Sequence, residues 1–287
     1  MPSPIEHCHE LLTSLPDAEL DKYSRIVLQE LLSTGNPNAK DEDGYSALYH
    51  ALECPQMLRA LLAVGCSPSV CSDEELVCLL DERVPLASLR LLLEAGANPN
   101  AKDEGDGDAT PLHYACDADD TERVRLLLAH GADPNALWWD EQTALFYAKS
   151  AEVAEMLLAA GADVNAESLD CYRPIHEANA AVTRVLLAHD AEVEHTQLYG
   201  VTALALTEDE EKIKLLRKAG ARLICQDIEH AAQHLPQPRL ETWLRLCGSS
   251  MSAVAPAIRK AQEEREQRFA QRKKKWQVEQ SVHKEKP

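Results

Sequence analysis

Aromatic side chains are scarce: they make up 5% of the 287 residues, with only two phenylalanines. The apolar content, 45% of the chain, is mostly leucine, alanine and valine. Such small and branched side chains favour closely stacked helices over a large-pocket enzyme core. Long apolar runs are also missing. No stretch approaches the roughly 18 apolar residues that a membrane span needs. The opening MPSPIEHCHELL has no basic region followed by an apolar core, so no secretory signal is expected. Nine cysteines, an odd number without framework spacing, predict reduced thiols in a cytoplasmic setting.

Catalytic signatures are absent too. The sequence has no Gly-rich phosphate loop after a strand, no Gly-x-Ser-x-Gly and no His-Glu-x-x-His. Cys54, Cys66, Cys71 and Cys78 contain no Cys-x-x-Cys pair, which argues against zinc. We therefore expect no enzyme activity, no cofactor and no metal. Positive charge is sparse in the body. The formal charge is −19, yet residues 250–287 hold ten Lys/Arg against five Asp/Glu. Residues 1–249 then hold nineteen against forty-three, a net −24. An acidic body repels phosphate backbones and favours a basic protein partner over nucleic acid.

What the chain does have is self-similarity. The segments LLSTGNPNA (31–39), LLAVGCSPS (61–69), LLEAGANPNA (92–101), LLAHGADPNA (127–136), LLAAGADVNA (157–166) and LLAHDAEVEH (186–195) align, followed by the degraded LRKAGARLIC (216–225). The Gly, or its Asp substitute, falls at 35, 65, 96, 131, 161, 190 and 220, with a weaker copy at 248. A period near 30 residues means stacked supersecondary units. Within a unit, the Leu pair closes a helix, Gly ends it in the left-handed conformation, and Asn or Asp with Pro turns the chain outward. Then come TPLH (110–113), TALF (143–146), TALA (202–205) or SALY (46–49). Thr-Pro there reads as an N-cap followed by Pro at the first helical position.

These motifs resemble the ankyrin repeat family over about residues 25–226. Only TPLHYACDADDTERVRLLLAHGADPNA (110–136) matches the pattern at full length. Other copies, such as 143–166, lose about three residues between the paired helices, which should tighten that turn. The resemblance implies an all-α solenoid of helix-turn-helix repeats with protruding hairpin loops. It also implies that His113 braces neighbouring hairpins. We expect a capping helix pair at 1–34, repeats at 35–225, a second capping pair at 226–248, and a linker with a charged helix at 249–287. In that helix Ile258, Phe269 and Trp276 share one face, and Arg272–Lys275 form a basic run.

The resemblance places the chain between each Gly and the next Thr in a protruding hairpin. Counting from each repeat's Asn, the tip holds Glu42, Trp139, Leu169 and Leu198. The position before it holds Asp41, Trp138, Ser168 and Gln197, and the position after it Asp43, Asp140, Asp170 and Tyr199. Three neighbouring fingertips at about 8–10 Å spacing would carry an apolar strip about 20 Å long. We expect partner binding there through Leu137, Trp138, Trp139, Leu169, Leu198 and Tyr199, with Asp140 and Asp170 adding polar specificity. Each indole can bury roughly 150–250 Å², a typical hot-spot contribution. The competing reading has one indole folded onto the adjacent hairpin and the leucines serving hairpin packing. An acidic, non-enzymatic binder suggests an inhibitor or immunity protein masking a basic toxin or enzyme. The alternative is an adaptor that uses the basic tail as a second contact.

Overall fold

The computed structural model describes residues 4–16, 19–72, 76, 83–235, 237–250, 252–256 and 258–259. It divides into two compact units, Met1–Leu169 and Asp170–Pro287. Among the described residues the regular elements are all helical, and strand-like pairing is limited to four isolated bridges. Those bridges, Lys40 with Ser46, Asp103 with Ala109, Trp138 with Gln142 and Thr196 with Thr202, each close one protruding hairpin.

In the first unit the helices Pro55–Val64, Leu86–Glu94, Thr121–Ala129 and Ala151–Ala159 pack successively on one another. The first leucine of each repeated pair forms their common seam. Leu61, Leu92, Leu127 and Leu157 are all fully buried, each removing several tens of Å² of apolar surface from water at about 25 cal/mol/Å². The same leucines also terminate their helices. The carbonyl of Leu127 accepts from Ala132 N–H at 3.0 Å, and Leu128 accepts from Gly131 N–H at 3.1 Å. This Schellman arrangement requires a left-handed residue at the first of the two donors along the chain. Gly131 supplies it with φ 88°, and Asp190 adopts φ 64° at the same step in the second unit.

Consecutive repeats are tied by side-chain amides. Asn100 donates from Nδ2 to Gly131 O at 3.0 Å and accepts at Oδ1 from Asp133 N–H at 2.7 Å. Asn135 repeats both bonds to Gly161 O and Asp163 N–H, and Asn38 makes them to Gly65 O and Ser67 N–H. The Asn of the NPNA and DPNA motifs is therefore the rivet between one turn and the next.

The helix pairs are less even than the motifs imply. In the 110–136 repeat the first helix is Pro111–Asp117, whereas at 144–147 and 49–51 it is a single 3₁₀ turn. The missing three residues shorten the first helix itself rather than tightening the connection after it. A helix needs a full turn beyond its cap before its i→i−4 bonds repay nucleation, and these segments stop short of that.

In the second unit the helices are Pro174–Glu177, Ala180–Ala188, Glu210–Lys218, Cys225–His234 and Gln237–Leu246. Leu186, Ile213, Leu216 and Leu244 are fully buried. The buried Trp243 donates from its indole to Thr207 O at 3.1 Å. Residues 252–256 and 258–259 are helical, with Val254 and Ile258 buried. The rest of the expected basic helix, with Phe269, Trp276 and Arg272–Lys275, lies outside the described residues, as does Cys78.

Replacing Asn135 by Ala removes two hydrogen bonds to the following repeat and should lower unfolding free energy by about 1–2 kcal/mol. Urea denaturation checks this: the midpoint should fall with an unchanged slope.

Candidate interaction surface

The hairpins obey one rule of alternation. The residue before each tip points inward and the tip points outward. Ser168 and Gln197 are buried, Asp41 accepts from Tyr45 N–H at 2.8 Å, and Asp103 accepts from Gly105 N–H at 3.0 Å. Trp138 occupies this inward position. The tips Glu42, Glu104, Trp139, Leu169 and Leu198 are all exposed.

The expectation that both indoles project outward is thus corrected for Trp138. Its ring lies against Tyr147 with centroids 4.7 Å apart, His113 at 5.6 Å and Tyr114 at 5.7 Å. Its Nε1–H donates to Asp106 O at 2.7 Å. The physical reason is period two: in an extended hairpin arm adjacent side chains leave on opposite sides, so a Trp-Trp pair cannot present both rings outward.

Trp139 does face solvent, at 56% exposure, and it is also anchored. Its Nε1–H donates to Asp106 Oδ1 at 3.0 Å. Both indoles therefore converge on one residue of the preceding hairpin. That hairpin, between Asn100 and Thr110, is two residues longer than the stretches 38–46, 135–143 and 165–173. Asp106 is held in turn by Tyr114, whose hydroxyl donates to Oδ2 at 2.9 Å, and burial raises the Tyr114 phenol so that it stays protonated.

Beyond this point the hairpins are of equal length and a simpler bond appears. Leu169 N–H donates to Asp140 O at 2.8 Å. Asp140 and Glu141 are both left-handed, with φ 54° and 60°, which turns the chain after the tip. In the second unit Leu198 N–H donates to Asp170 O at 2.9 Å, and Cys171 takes φ 59°. Where the lengths differ, the indole N–H of Trp138 takes the hairpin carbonyl instead.

The first unit presents Leu137, Trp139 and Leu169 as exposed apolar groups beside Asp140, and the second presents Leu198 and Tyr199 beside Asp170. His113 fixes the base of the Trp hairpin. Its Nδ1 accepts from Thr110 N–H at 3.1 Å, and its Nε2 donates to Ala136 O at 3.1 Å. Burial pushes the His113 pKa down to about 4, so the ring is neutral and Nε2 carries the proton. At the equivalent site of the next repeat stands Phe146, and the buried Thr143 hydroxyl has no partner among the described residues. In the second unit His176 repeats the brace to His195 O, while Asp227 takes over for Thr202, accepting from its N–H at 2.9 Å and its hydroxyl at 2.8 Å.

Among the described residues no group of His, Cys, Asp or Glu could hold a metal ion, and no helix is long and apolar enough to cross a membrane. In the acidic runs DADDTE (117–122) and EDEE (208–211), Asp120 and Asp209 cap the helices that follow them.

Residues 83–168 match the family described as Ankyrin repeats, in three copies. The chain is similar to mouse "Ankyrin repeat and SOCS box protein 5", 40% identical over 86 residues, which covers 29% of this chain and 26% of that protein. It is also similar to bovine "Mitochondrial disaggregase", 31% identical over 166 residues, covering 53% of this chain and 24% of that one. The chain thus spans about a quarter of the length of these curated relatives. Among solved structures, the ankyrin repeat domain of Bcl-3 superposes with a TM-score of 0.54 at 24% identity, covering 76% of this chain and 98% of that domain. That likeness shows the fold.

Two measurements follow from the geometry. Trp138→Ala should cost about 2–4 kcal/mol because it opens a packed aromatic cluster, whereas Trp139→Ala should cost about 1 kcal/mol or less; paired chemical denaturation separates them. For pH, His113 and His176 bind protons less readily folded (pKa about 4) than at the ordinary 6.5. Their contribution to stability is therefore complete above pH 6.5 and is lost as pH falls toward 4. His113→Gln should flatten the dependence of unfolding free energy on pH in that window.

Proposed function

Since the chain is built on ankyrin repeats, a scaffold for protein–protein interaction that is typically without enzyme activity, we propose that it binds a basic protein partner through its hairpin tips. The observation that carries this reading is Trp139. Its ring is fixed by a hydrogen bond to Asp106, yet it stays 56% exposed between the exposed Leu137 and Leu169. An immobilised aromatic group binds with less ordering cost than a mobile one. Asp140 lies beside it to pair with cations of the partner, and the formal charge of −19 steers such a partner by long-range attraction.

The form this takes is an inhibitor or immunity-type protein that masks a basic toxin or enzyme in a one-to-one complex. Trp138, half-buried against Tyr147, His113 and Tyr114, supports the surface from below. A second reading, an adaptor joining two proteins, is favoured by the second unit's own exposed pair, Leu198 at 58% and Tyr199 at 72%, beside Asp170.

The test is affinity capture from native lysate with the wild type and with Trp139→Ala combined with Leu169→Ala. Capture of the partner should weaken at least tenfold, about 1.4 kcal/mol, while the melting temperature stays nearly unchanged. Undiminished capture would overturn the reading. The adaptor form predicts that Leu198→Ala with Tyr199→Ala loses one captured protein and keeps another.

A further inference from the structure

The geometry points to an arginine side chain of the partner as the group that the first unit's tip receives, stacked on the outer face of Trp139. This rests on the tip being a binding surface, and it adds the chemistry of the occupant.

The indole is presented with one face covered and the other open. A Cβ built on Gly107 would lie 3.1 Å from Cε2 and 3.2 Å from Cδ2 of Trp139. These are bridgehead carbons with no outward hydrogen, and an atom nearly equidistant from both sits over the ring rather than at its edge. Gly107 therefore backs one face, and the 56% exposure of Trp139 belongs to the opposite face and rim. A Cβ there would crowd the ring by a few tenths of an ångström, and the left-handed φ of 61° adds strain for any side chain.

The ring is also tuned for a cation. Its N–H donates to a carboxylate, Asp106 Oδ1, and such a charge-assisted bond pushes electron density into the indole and strengthens its attraction for a positive charge. Asp106 is itself held from two sides, by Tyr114 at Oδ2 and by the Trp138 indole at its carbonyl. The platform is thus preorganised before any partner arrives.

Charge at the rim is negative and uncommitted. Glu104, Asp140 and Glu141 are exposed and form no ion pair among the described residues. The nearby Lys102 is bound to Asp108 at 3.0 Å. The Asp140 backbone is pinned by Leu169 N–H and by its left-handed turn, so its carboxylate and that of Glu141 start from a fixed loop. Arginine suits this arrangement better than lysine. A planar guanidinium can stack on the indole and still direct its fork to a carboxylate, while a compact ammonium is strongly hydrated and cannot do both. Leu137 and Leu169 then accept aliphatic residues flanking the arginine.

The experiment uses the full chain and a phage-displayed library of linear twelve-residue peptides, with selection run in parallel on Trp139→Ala. The strongest peptide is synthesised with its arginine kept, replaced by lysine, or replaced by neutral citrulline. Affinities are measured by calorimetry, and the Trp139 indole ¹⁵N–¹H signal is assigned with Trp139→Phe. We expect an arginine beside aliphatic residues in the selected peptides. Citrulline should weaken binding at least tenfold, lysine at least threefold, Trp139→Phe only partly, and Asp140→Asn with Glu141→Gln about fivefold. The Trp139 indole signal should shift on titration. Peptides that lose affinity on Trp139→Ala yet tolerate citrulline would overturn the arginine assignment and leave the interaction surface standing. Binding indifferent to both Trp139→Ala and Leu169→Ala would overturn both. A selection that returns no arginine-bearing tip binder also overturns the assignment.

Discussion

Two indole N–H groups and a phenol converge on Asp106, and the character of the first unit's surface follows from that convergence. A longer hairpin is a liability in a repeat array, because its carbonyl and carboxylate fall out of register with the next repeat. Trp138 absorbs the mismatch by reaching across with a side-chain donor, and its ring fills the space between His113, Tyr114 and Tyr147. The half-buried carbonyl and carboxylate of Asp106 are paired here by groups that are large and rigid. Four of the scarce aromatic residues, Tyr114, Trp138, Trp139 and Tyr147, gather where the repeat geometry breaks. Trp139 is fixed as a consequence, since its own N–H finds the carboxylate of the same residue.

Support of the tip reaches back into the repeat core. The Leu seam sets the helix spacing, the left-handed Gly ends each helix, and the Asn amides lock one turn to the next. His113 then transmits that order to the hairpin base through Ala136 O. Its neutral ring matters, because only a neutral imidazole can accept from Thr110 on one nitrogen and donate to Ala136 on the other. Where the sequence replaces this histidine by Phe146, the buried Thr143 hydroxyl has no partner among the described residues.

Much of this was legible in the sequence because the repeat is written in residues with single physical uses. The Gly at period 30, the Leu pair and the Asn two residues after Asp or Asn each have one conformational job, and the family resemblance covers them. The tips were legible by the same counting: Trp139, Leu169 and Leu198 are exposed as the register implied, and so is Tyr199 just after the last of them. For Trp138 the register gives a position and not a direction, and of the two readings the sequence leaves open the structure matches the one with an indole folded onto the adjacent hairpin. Applying period-two alternation to the hairpin arm, with Ser168 and Gln197 as small or polar inward neighbours, would have turned it inward. The role of Asp106 was hidden for another reason. It belongs to a hairpin with two inserted residues, so no repeat position predicts it, and only the three-dimensional bond pattern reveals it. The shortening of the first helix to a 3₁₀ turn at 144–147 was likewise visible as a length deficit but not as its location.

The central claim is a division of labour between adjacent tryptophans: one ring is structural, its neighbour is presented to solvent. The most direct measurement is solvent paramagnetic relaxation of the ring protons, using a soluble gadolinium chelate, with Trp138→Phe and Trp139→Phe providing assignments. The account predicts strong attenuation for Trp139 and little for Trp138. Equal protection of both rings, or attenuation of Trp138 alone, would contradict it.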